Sequence, residues 1–544
     1  MEINSDLINF MRQESPKELK RVVLLSLFVG FISTTLIALV NESASKVANS
    51  ESVTPEFFLF LFALTCFLIV IRKSTRETIS SSQNLIHKFK MRIMKDVFLS
   101  DLSTLDSIGK VNILQALGRD AQTVSQSMPI LVMVCQGAAT LVCLSLYMAT
   151  ISLVAFFIIL FAVIIIFIVS SRYVLSVSDD LKTAWKKEAD IHEIFSDFLN
   201  GFKEIKLNSS RAREITMHMV GESRASSEMK ADALISLSYF FNYLQILLYI
   251  IVGLIIFVVP NLSDNFSSVV VPSTTAAIFL VGSLTGIITC IPNLSESNVS
   301  ASSLLKLEQR ITGSGRPMGS SDSQQEFRDA SSLRFDHLMY QHKKDDPKKS
   351  FVFGPISYEF LKGNIYFIRG NNGSGKTTFM RLLTGLYSPD EGNIYVDGVL
   401  VSQPTSTSYR DMFSVVFGDF FLFKNLYGLS DIEDAELNYW KVLFQIDTKV
   451  SIEDGKFSNL DLSTGQKKRV ALLVAILEKR QFIVLDEWAA DQDPEFRKIF
   501  YTEIIPMLKK AGKTIIAITH DDQYFGIADH LLTINAGQLI TDGK

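Results

Sequence analysis

The chain has 544 residues, a formal net charge of −4 and an apolar composition. Hydrophobic residues make up 48% of it and include 40 Phe, whereas only 20% of the residues are charged. Soluble domains carry roughly 25% charged residues, so the composition argues against a wholly soluble protein and favours a membrane protein.

Six apolar stretches predict six transmembrane helices. Residues 22–40 carry no charge and, at about 1.5 Å per residue, approach the roughly 30 Å thickness of the hydrocarbon core. Residues 129–171 are also uncharged and are long enough for two spans joined near Ala149. We place the spans at 22–40, 57–71, 129–148, 151–171, 233–259 and 272–293, within a predicted transmembrane domain of residues 1–310.

The basic residues predict which loops face the cytoplasm. Lys and Arg are frequent in residues 1–21, 72–128 and 171–233, whereas 41–56 contains one and 260–271 contains none. Because cytoplasmic loops carry the excess of Lys and Arg, we expect both termini to be cytoplasmic. No small-residue cleavage site follows the first span, so we expect it to be retained rather than removed as a signal peptide.

A linker and an α/β domain are predicted beyond the last span. Residues 311–330 are rich in Ser, Gly and Gln, a composition typical of linkers. From residue 331 to 544, short apolar runs typical of strands alternate with helical patterns. This alternation indicates a cytoplasmic α/β domain.

The strongest motif of the α/β domain is a phosphate loop. A predicted strand, Ile365 to Ile368, leads into a G-x-x-x-x-G-K-[ST] sequence and then into an apolar helix. The glycines let backbone N–H groups converge on phosphate oxygens at the start of that helix. Lys376 would reach the β and γ phosphates, and Thr377 would bind Mg²⁺. The predicted nucleotide-binding residues are Gly370, Asn371, Asn372, Gly373, Ser374, Gly375, Lys376, Thr377 and Thr378.

Two carboxylates end a second predicted strand, "QFIVLDE", at residues 481–487. In a nucleotide-binding sheet the carboxyl ends of the strands face the ligand. Asp486 would hold Mg²⁺ through water, and Glu487 would polarise the attacking water. The nearby Asp491 and Glu495 fit solvation and the start of a helix better than chemistry.

Between these motifs stands "LSTGQKKR", residues 462–469, which begins a predicted helix and offers a second anion site at Ser463 and Gly465. The phosphate loop, LSTGQ, "IVLDE" and "ITHDD" with His520, in that order behind six spans, resemble the ATP-binding cassette (ABC) transporter family. The resemblance implies ATP and Mg²⁺ as cofactors. It also implies that Ser463, Thr464, Gly465 and Gln466 contact the ATP held by a partner cassette, that Asp493 touches the partner, and that His520 contacts the γ-phosphate and the attacking water.

Two positions depart from the family pattern. Gly418 stands where the family usually has a Gln that senses Mg²⁺, and Asp419 is the neighbouring carboxylate that could replace it. The family also places an aromatic residue on adenine upstream of the phosphate loop. Here the register falls on His342, with Tyr340 on the same face of the predicted strand, and the sequence does not decide between them.

The resemblance implies an α-helical six-span transmembrane domain of the ABC exporter type fused to a cytoplasmic α/β P-loop nucleotide-binding domain. The loops 72–128 and 171–233 are too long for simple connectors, and we expect them to form helices that reach the cassettes. Their coupling turns are predicted near Leu102 to Lys110 and near Leu199 to Lys206.

A narrower resemblance concerns the cargo. "LSTGQKKRVALL" and "LDEWAADQDPEFRKIFY" are similar to cyclic-peptide exporters of the pyoverdine and syringomycin types, because Trp488 and the Asp491-Gln492-Asp493 sequence are frequent in that group. We expect a homodimer in a bacterial inner membrane that contacts lipid, exports a cyclic or modified peptide and binds no nucleic acid. The alternatives are a lipid flippase or siderophore importer with the exporter fold, and a cassette ATPase that does not transport. Because Glu487 and His520 are both present, the last alternative is disfavoured.

Overall fold

The computed structural model divides the chain into two compact units. The helical unit comprises Met1–Phe98 and Ile108–Thr312, and the sheet unit comprises Leu99–Ser107 and Gly313–Lys544. The structure describes the chain apart from residues 1–5, 49, 258–265, 315–326, 328, 342–350, 403–405, 430–431 and 542–544, and most of 155–193. About half of the predicted span 151–171 and most of the predicted linker 311–330 therefore lie outside the described residues.

Long helices form the helical unit, and five described helices are long and apolar enough to cross a membrane. These five contain the predicted spans 22–40, 57–71, 129–148 and 272–293 and most of 233–259. Several run well past the roughly 20 residues that a bilayer requires. The helices are α1 (Asp6–Glu14), α2 (Pro16–Ala48), α3 (Thr54–Leu99), α5 (Lys110–Gln115), α6 (Ala121–Ile151), α7 (Phe202–Leu207), α8 (Ser209–Phe257) and α9 (Phe266–Ser314), and the short helix α4 (Leu102–Ile108) is described below.

Small residues let the helices of this unit approach closely. A side chain at Gly30 on α2 would place its Cβ 2.7 Å from the Cβ of Ala139 and 2.8 Å from the carbonyl oxygen of Gln136, both on α6. The hydroxyls of Ser26 and Thr34 on α2 donate to carbonyls one turn earlier, at 2.7 and 3.0 Å. Close backbone contact and hydroxyls satisfied within one helix are what packing in an apolar solvent requires.

The sheet unit contains a four-stranded antiparallel sheet in the order β2-β1-β4-β5. Its strands are β1 (Ser332–Gln341), β2 (Val352–Leu361), β4 (Glu391–Val396) and β5 (Val399–Leu400). Apolar side chains alternate with polar ones along β1, and Leu333, Phe335 and Leu338 are buried in the core of the unit. This alternation is the expected pattern of a strand with one packed face.

A six-stranded sheet in the order β12-β11-β3-β10-β9-β6 forms the centre of the unit. β3, β6, β9, β10 and β11 run parallel, and β12 is antiparallel to β11. β9 and β10 are buried along their whole length, as continuous apolar runs between helical layers should be. The strands are β3 (Ile365–Arg369), β6 (Phe413–Val416), β9 (Phe482–Asp486), β10 (Thr514–Ile518), β11 (His530–Asn535) and β12 (Gln538–Thr541).

Helices α10 (Lys376–Leu383), α11 (Thr407–Arg410), α12 (Asp434–Leu443), α13 (Thr464–Leu477), α14 (Pro494–Ile499) and α15 (Ile505–Lys510) complete the sheet unit, together with the hairpin of β7 (Ile452–Glu453) and β8 (Lys456–Phe457). α13 buries residues on several sides, including Val470, Leu472 and Leu473. A helix that is apolar nearly all round belongs in a core, and α13 therefore fixes the segments at its two ends.

The short helix α4 falls within the predicted coupling turn Leu102 to Lys110, and most of it groups with the sheet unit. Leu102 packs against the buried core of that unit. The carboxylate of Asp106 accepts hydrogen bonds from Arg381 Nη1 at 3.4 Å and from the Tyr387 hydroxyl at 3.2 Å. The second predicted turn, Leu199 to Lys206, overlaps α7, which belongs to the helical unit.

Candidate nucleotide site

The parallel sheet brings most of the predicted site residues to one edge. The phosphate loop follows β3, Asp486 ends β9, His520 follows β10, and Gly418 follows β6. Because these strands are parallel neighbours, their carboxyl ends lie side by side. The motifs that stand far apart in the sequence therefore meet in space.

The phosphate loop has the backbone that close approach to phosphate requires. Gly373 has φ 77° and Gly375 has φ 106°, backbone conformations that residues other than glycine rarely adopt. At Gly375 a Cβ would also lie 2.7 Å from the ring of Phe353. Lys376 is buried, and its Nζ donates to the carbonyl of Gly370 at 2.8 Å. The loop is therefore folded around the amine of Lys376.

Glu487 lies between two nitrogen atoms of the site. Its Oε1 is 3.2 Å from His520 Nε2 and 3.6 Å from Lys376 Nζ. All three side chains come from different segments, one after β9, one after β10 and one at the start of α10. The Glu487 side chain is 41% exposed, so solvent reaches its carboxylate. A carboxylate held in this position can act as a general base towards water.

Asp486 is buried beside Glu487. Burial raises the pKa of the Asp486 carboxyl above its usual range, the charge of Glu487 raises it further, and the backbone N–H of Gly418 opposes the shift. A cation at this position would relieve the same desolvation and repulsion. Asp419, by contrast, is 79% exposed, and its Oδ2 lies 3.9 Å from Arg381 Nη2.

The LSTGQ segment caps α13. The Ser463 hydroxyl accepts from the backbone N–H of Gln466 at 3.3 Å, and the Gln466 side chain accepts from the backbone N–H of Ser463 at 3.2 Å. This capping box fixes the first turn of the helix, whose N-terminus carries Thr464 and Gly465. At Gly465 a Cβ would lie 2.7 Å from the carbonyl oxygen of Asp491, so the segment packs directly on the loop after β9.

Asp493 has two partners within the sheet unit. It caps α14 by accepting from the backbone N–H of Phe496 at 2.9 Å, and it pairs with the buried Arg469 at 2.5 Å. The helix cap and the guanidinium lower the pKa of its carboxyl. The side chain is nevertheless 54% exposed, which leaves part of it accessible.

The two aromatic candidates for adenine differ in placement. Tyr340 is buried and stacks on Tyr387 with ring centroids 4.9 Å apart, whereas His342 lies outside the described residues. Phe351, which the sequence motifs do not mark, lines the same cavity as the phosphate loop and Glu487. That cavity has a volume of about 490 Å³. The alternation of side chains along β1 could not identify Phe351, because β1 ends at Gln341 and Phe351 stands directly before β2.

The residues present fit a nucleoside triphosphate and a divalent cation. Among the described residues, the buried Ser374 hydroxyl is one of the few buried side-chain polar atoms without a hydrogen-bond partner, and it lies inside the phosphate loop. No group of three or more His, Cys, Asp or Glu in the described part of the chain could hold a metal alone. Mg²⁺ in nucleotide sites uses one or two protein oxygens besides phosphate, which Thr377 and Asp486 can supply.

Comparisons with known proteins identify the family. Residues 353–490 match the family described as ABC transporter. The ATP-binding protein SyrD of Pseudomonas syringae pv. syringae is 29% identical over 95% of this chain and 94% of its own length. The energy-coupling factor transporter ATP-binding protein EcfA of Pediococcus pentosaceus is 32% identical over 38% of this chain and 76% of its own length.

A solved structure extends the likeness to both units. A bacterial Atm1-family ABC exporter with ATP bound aligns with a TM-score of 0.76 and 16% sequence identity, covering 96% of this chain and 95% of that chain. At that identity the likeness shows the fold, which is the predicted exporter fold.

Membrane-spanning helices joined to a phosphate-loop sheet are the architecture of a transport ATPase. The chain belongs to the ABC transporter family, as the sequence motifs predicted. It is an ABC-type ATPase coupled to transmembrane transport, and its apolar helices make it a multi-pass membrane protein.

Proposed function

We propose that the chain is an ATP-driven exporter of a cyclic or otherwise modified peptide, working as a homodimer in a bacterial inner membrane with both termini cytoplasmic. The proposal assigns residues 1–310 to transport and 331–544 to ATP hydrolysis. The observation that carries the hydrolytic part is that two nitrogens approach the same oxygen, Glu487 Oε1. His520 Nε2 lies 3.2 Å from it and Lys376 Nζ lies 3.6 Å from it.

Within this proposal Glu487 is the general base. His520 and Lys376 orient its carboxylate, so that it can take a proton from water at Oε1. The phosphate loop from Gly370 to Thr378 binds the phosphates, with the N–H groups at the start of α10 directed at them. Thr377 and Asp486 would hold Mg²⁺, which would supply charge neutralisation at the phosphates.

Three further assignments belong to the same proposal. Asp419 takes the place of the Gln that Gly418 replaces, and its pairing distance of 3.9 Å from Arg381 leaves its carboxylate weakly held. For adenine we propose His342, because Tyr340 is already stacked on Tyr387 in the core. Asp493 touches the partner with its exposed part.

The LSTGQ segment supports the dimer. Ser463, Thr464, Gly465 and Gln466 form the start of α13, an anion site that lies on a different segment from the phosphate loop. We propose that it closes over the ATP of a second, identical chain. Mixing wild-type chains with Ser463→Arg chains should then lower ATPase activity faster than the mutant fraction rises. A strictly linear fall would contradict the dimer.

The peptide part rests on the helical unit. On α8 the residues Ala233, Leu237, Phe240 and Leu244 are buried in the unit, whereas Tyr239, Asn242 and Tyr243 lie on the other side of the helix and are exposed. This exposed face is neutral, aromatic and polar. It suits a compact amphipathic cargo that buries surface rather than one that forms ion pairs.

Reconstituted vesicles test the cargo. With the ATPase domain outside, ATP should drive a macrocyclic peptide into the lumen, and the peptide should stimulate hydrolysis. A panel of macrocyclic peptides that gives neither effect, while a lipid gives both, would replace the exporter proposal by the flippase alternative. Movement of the peptide outwards under the same conditions would indicate an importer.

A further inference from the structure

Lys468 is a buried lysine to which the proposed function gives no role. Together with Lys376 of the phosphate loop, it is one of two buried lysines in the described part of the chain. It lies on α13, two positions beyond Gln466. Its Nζ donates to the backbone carbonyl of Glu487 at 2.8 Å and pairs with the carboxylate of Asp491 at 2.7 Å.

The backbone of Glu487 is in a conformation that needs support. Its φ of 47° and ψ of 37° lie in the left-handed region, which residues other than glycine rarely adopt and which persists only when neighbouring contacts hold it. The N–H of Glu487 donates to the carbonyl of Ile518 at 3.1 Å. Its carbonyl accepts from Lys468 and, at 3.3 Å, from the N–H of Ala490. Lys468 therefore provides the contact from outside this turn that holds the Glu487 carbonyl.

Trp488 makes a second contact between Lys468 and the same turn. Its indole N–H donates to the backbone carbonyl of Lys468 at 2.7 Å, and its ring packs on Phe500 with centroids 4.3 Å apart. The side-chain amine and the main-chain carbonyl of Lys468 thus both contact the Glu487-Trp488 dipeptide. Asp491 supplies the negative charge that a buried ammonium requires. The three residues form what we call the lysine clamp: Lys468, Trp488 and Asp491.

We propose that Lys468 is a positioning residue for Glu487. It does not touch the carboxylate; it fixes the carbonyl, and hence the φ and ψ that direct the side chain towards His520 and Lys376. The inference rests on the proposed role of Glu487 as general base. It extends that role, because the clamp connects the base of a chain to the helix that begins with the LSTGQ segment of the same chain.

A purely structural ion pair would behave differently from a positioning residue. Losing such a pair lowers the folded fraction, and it leaves the turnover of the molecules that remain folded unchanged. Losing a positioning contact lowers kcat in folded protein and leaves ATP binding intact, because the phosphate loop is untouched. A misplacement of the order of 1 Å can cost about 10²-fold in rate.

The experiment compares Lys468→Met with wild type in full-length purified transporter. We expect kcat for ATP hydrolysis to fall by about 10- to 100-fold while the KM for ATP stays within about threefold. In a Glu487→Gln background, Lys468→Met should have no further effect, because its contribution passes through Glu487. Lys479→Met serves as the control, since it removes an exposed lysine that pairs with Glu436 at 2.8 Å, and it should keep wild-type turnover.

Contrary outcomes are distinct. If Glu487→Gln abolishes hydrolysis but Lys468→Met turns over at the wild-type rate, the positioning role falls and the proposed function stands. Additive losses in the double variant, or a rise in KM with unchanged kcat, would also overturn it. If Glu487→Gln hydrolyses ATP normally, the assignment of the base falls, and the inference falls with it.

A second variant covers failure of Lys468→Met to fold. Asp491→Asn keeps the shape of the clamp and removes its negative charge. It should lower kcat by a smaller factor than Lys468→Met does, and thermal unfolding would check that the variant is folded. Wild-type kcat in Asp491→Asn, when Lys468→Met does not fold, would assign the clamp to stability and overturn the proposal.

Discussion

The two units bury polar side chains of different kinds. In the described part of the helical unit, every buried polar residue except Asn41 is Ser or Thr, and the one charged side chain that is nearly as enclosed, that of Glu14 at 4% exposure, pairs with the exposed Arg92. The described part of the sheet unit buries four charged side chains, Lys376, Lys468, Arg469 and Asp486. Lys376 and Asp486 lie in the nucleotide site, Lys468 contacts the backbone of Glu487, and Arg469 pairs with Asp493.

This difference shows which buried polar residues indicate a functional site and which indicate only helix packing. A buried charge is costly unless a specific partner compensates it, so each buried charge in the sheet unit marks a fixed constellation. A buried hydroxyl can instead donate to a carbonyl of its own helix, as Thr34 and Thr78 do at 3.0 and 2.7 Å. Such residues report helix packing and say little about cargo. The predictions below test this contrast, beginning with the largest effect.

The first prediction concerns the charged site. Replacing Glu487 by Gln keeps the shape of the side chain but removes its ability to accept a proton. ATP hydrolysis should fall by at least about 10²-fold, the usual contribution of a general base, while binding of a fluorescent ATP analogue is retained. Glu495→Gln, on the exposed start of α14, is the matched control and should hydrolyse normally. Equal activities of the two variants would remove the contrast between the units.

The second prediction concerns the packing of the helical unit. Gly30→Val would insert carbon atoms where a Cβ alone lies 2.7 Å from Ala139. Overpacking of this kind costs about 1–3 kcal/mol, so the thermal unfolding temperature in detergent should fall. The control is Gly286→Val on α9, since nothing lies within 4 Å of a Cβ there. If both variants unfold at the same temperature, close approach at Gly30 contributes nothing to stability.

The sequence predicted the parts of the site that rest on local motifs. The phosphate loop, the strand ending in Asp486 and the helix beginning at Ser463 all follow from patterns of adjacent residues, and the structure has each of these elements. Their assigned roles remain predictions. The order of motifs along the chain, with the apolar spans before them, was sufficient to identify the family and the exporter fold.

What the sequence did not predict are contacts between distant segments. The sequence assigns Asp491 to solvation and the start of a helix, yet its carboxylate pairs with the buried Lys468 at 2.7 Å. In the sequence, Trp488 indicates only the resemblance to cyclic-peptide exporters, yet its indole N–H donates to the backbone carbonyl of Lys468 on α13. Neither residue has a neighbour in the sequence that reveals its partner, because the packing of α13 on the loop after β9 creates the contact.

The third prediction concerns Gly418 and Asp419, where the chain departs from its family. A Cβ at Gly418 would lie 3.7 Å from Asp486 Oδ2, an ordinary contact, and its backbone N–H would still face Asp486. Gly418→Ala should therefore change hydrolysis by less than about twofold, whereas Asp419→Ala should lower it several-fold, as expected for losing a weakly held polar contact worth about 1 kcal/mol. Steady-state ATPase assays at saturating Mg²⁺ would measure both. The reverse order would mean that backbone freedom at 418 is what this loop supplies.

The last prediction returns to the helical unit, where the smallest effect on hydrolysis is expected. Tyr243 on α8 is 70% exposed, whereas the neighbouring Leu244 is buried, and the ring and hydroxyl of Tyr243 can contact an amphipathic cargo. Tyr243→Ala removes that contact and leaves the nucleotide site unchanged.

Basal ATPase activity should therefore remain within about twofold of wild type, while stimulation by a transported macrocyclic peptide should need about tenfold more peptide, the effect of losing one aromatic contact of about 1.4 kcal/mol. Met217→Ala, a truncation of a residue that is 60% exposed on the same helix but lies outside the predicted span, should leave stimulation unchanged. If Tyr243→Ala instead lowers basal hydrolysis and leaves the peptide response intact, this face of α8 serves the transmission of motion, and the cargo contacts must lie elsewhere in the helical unit.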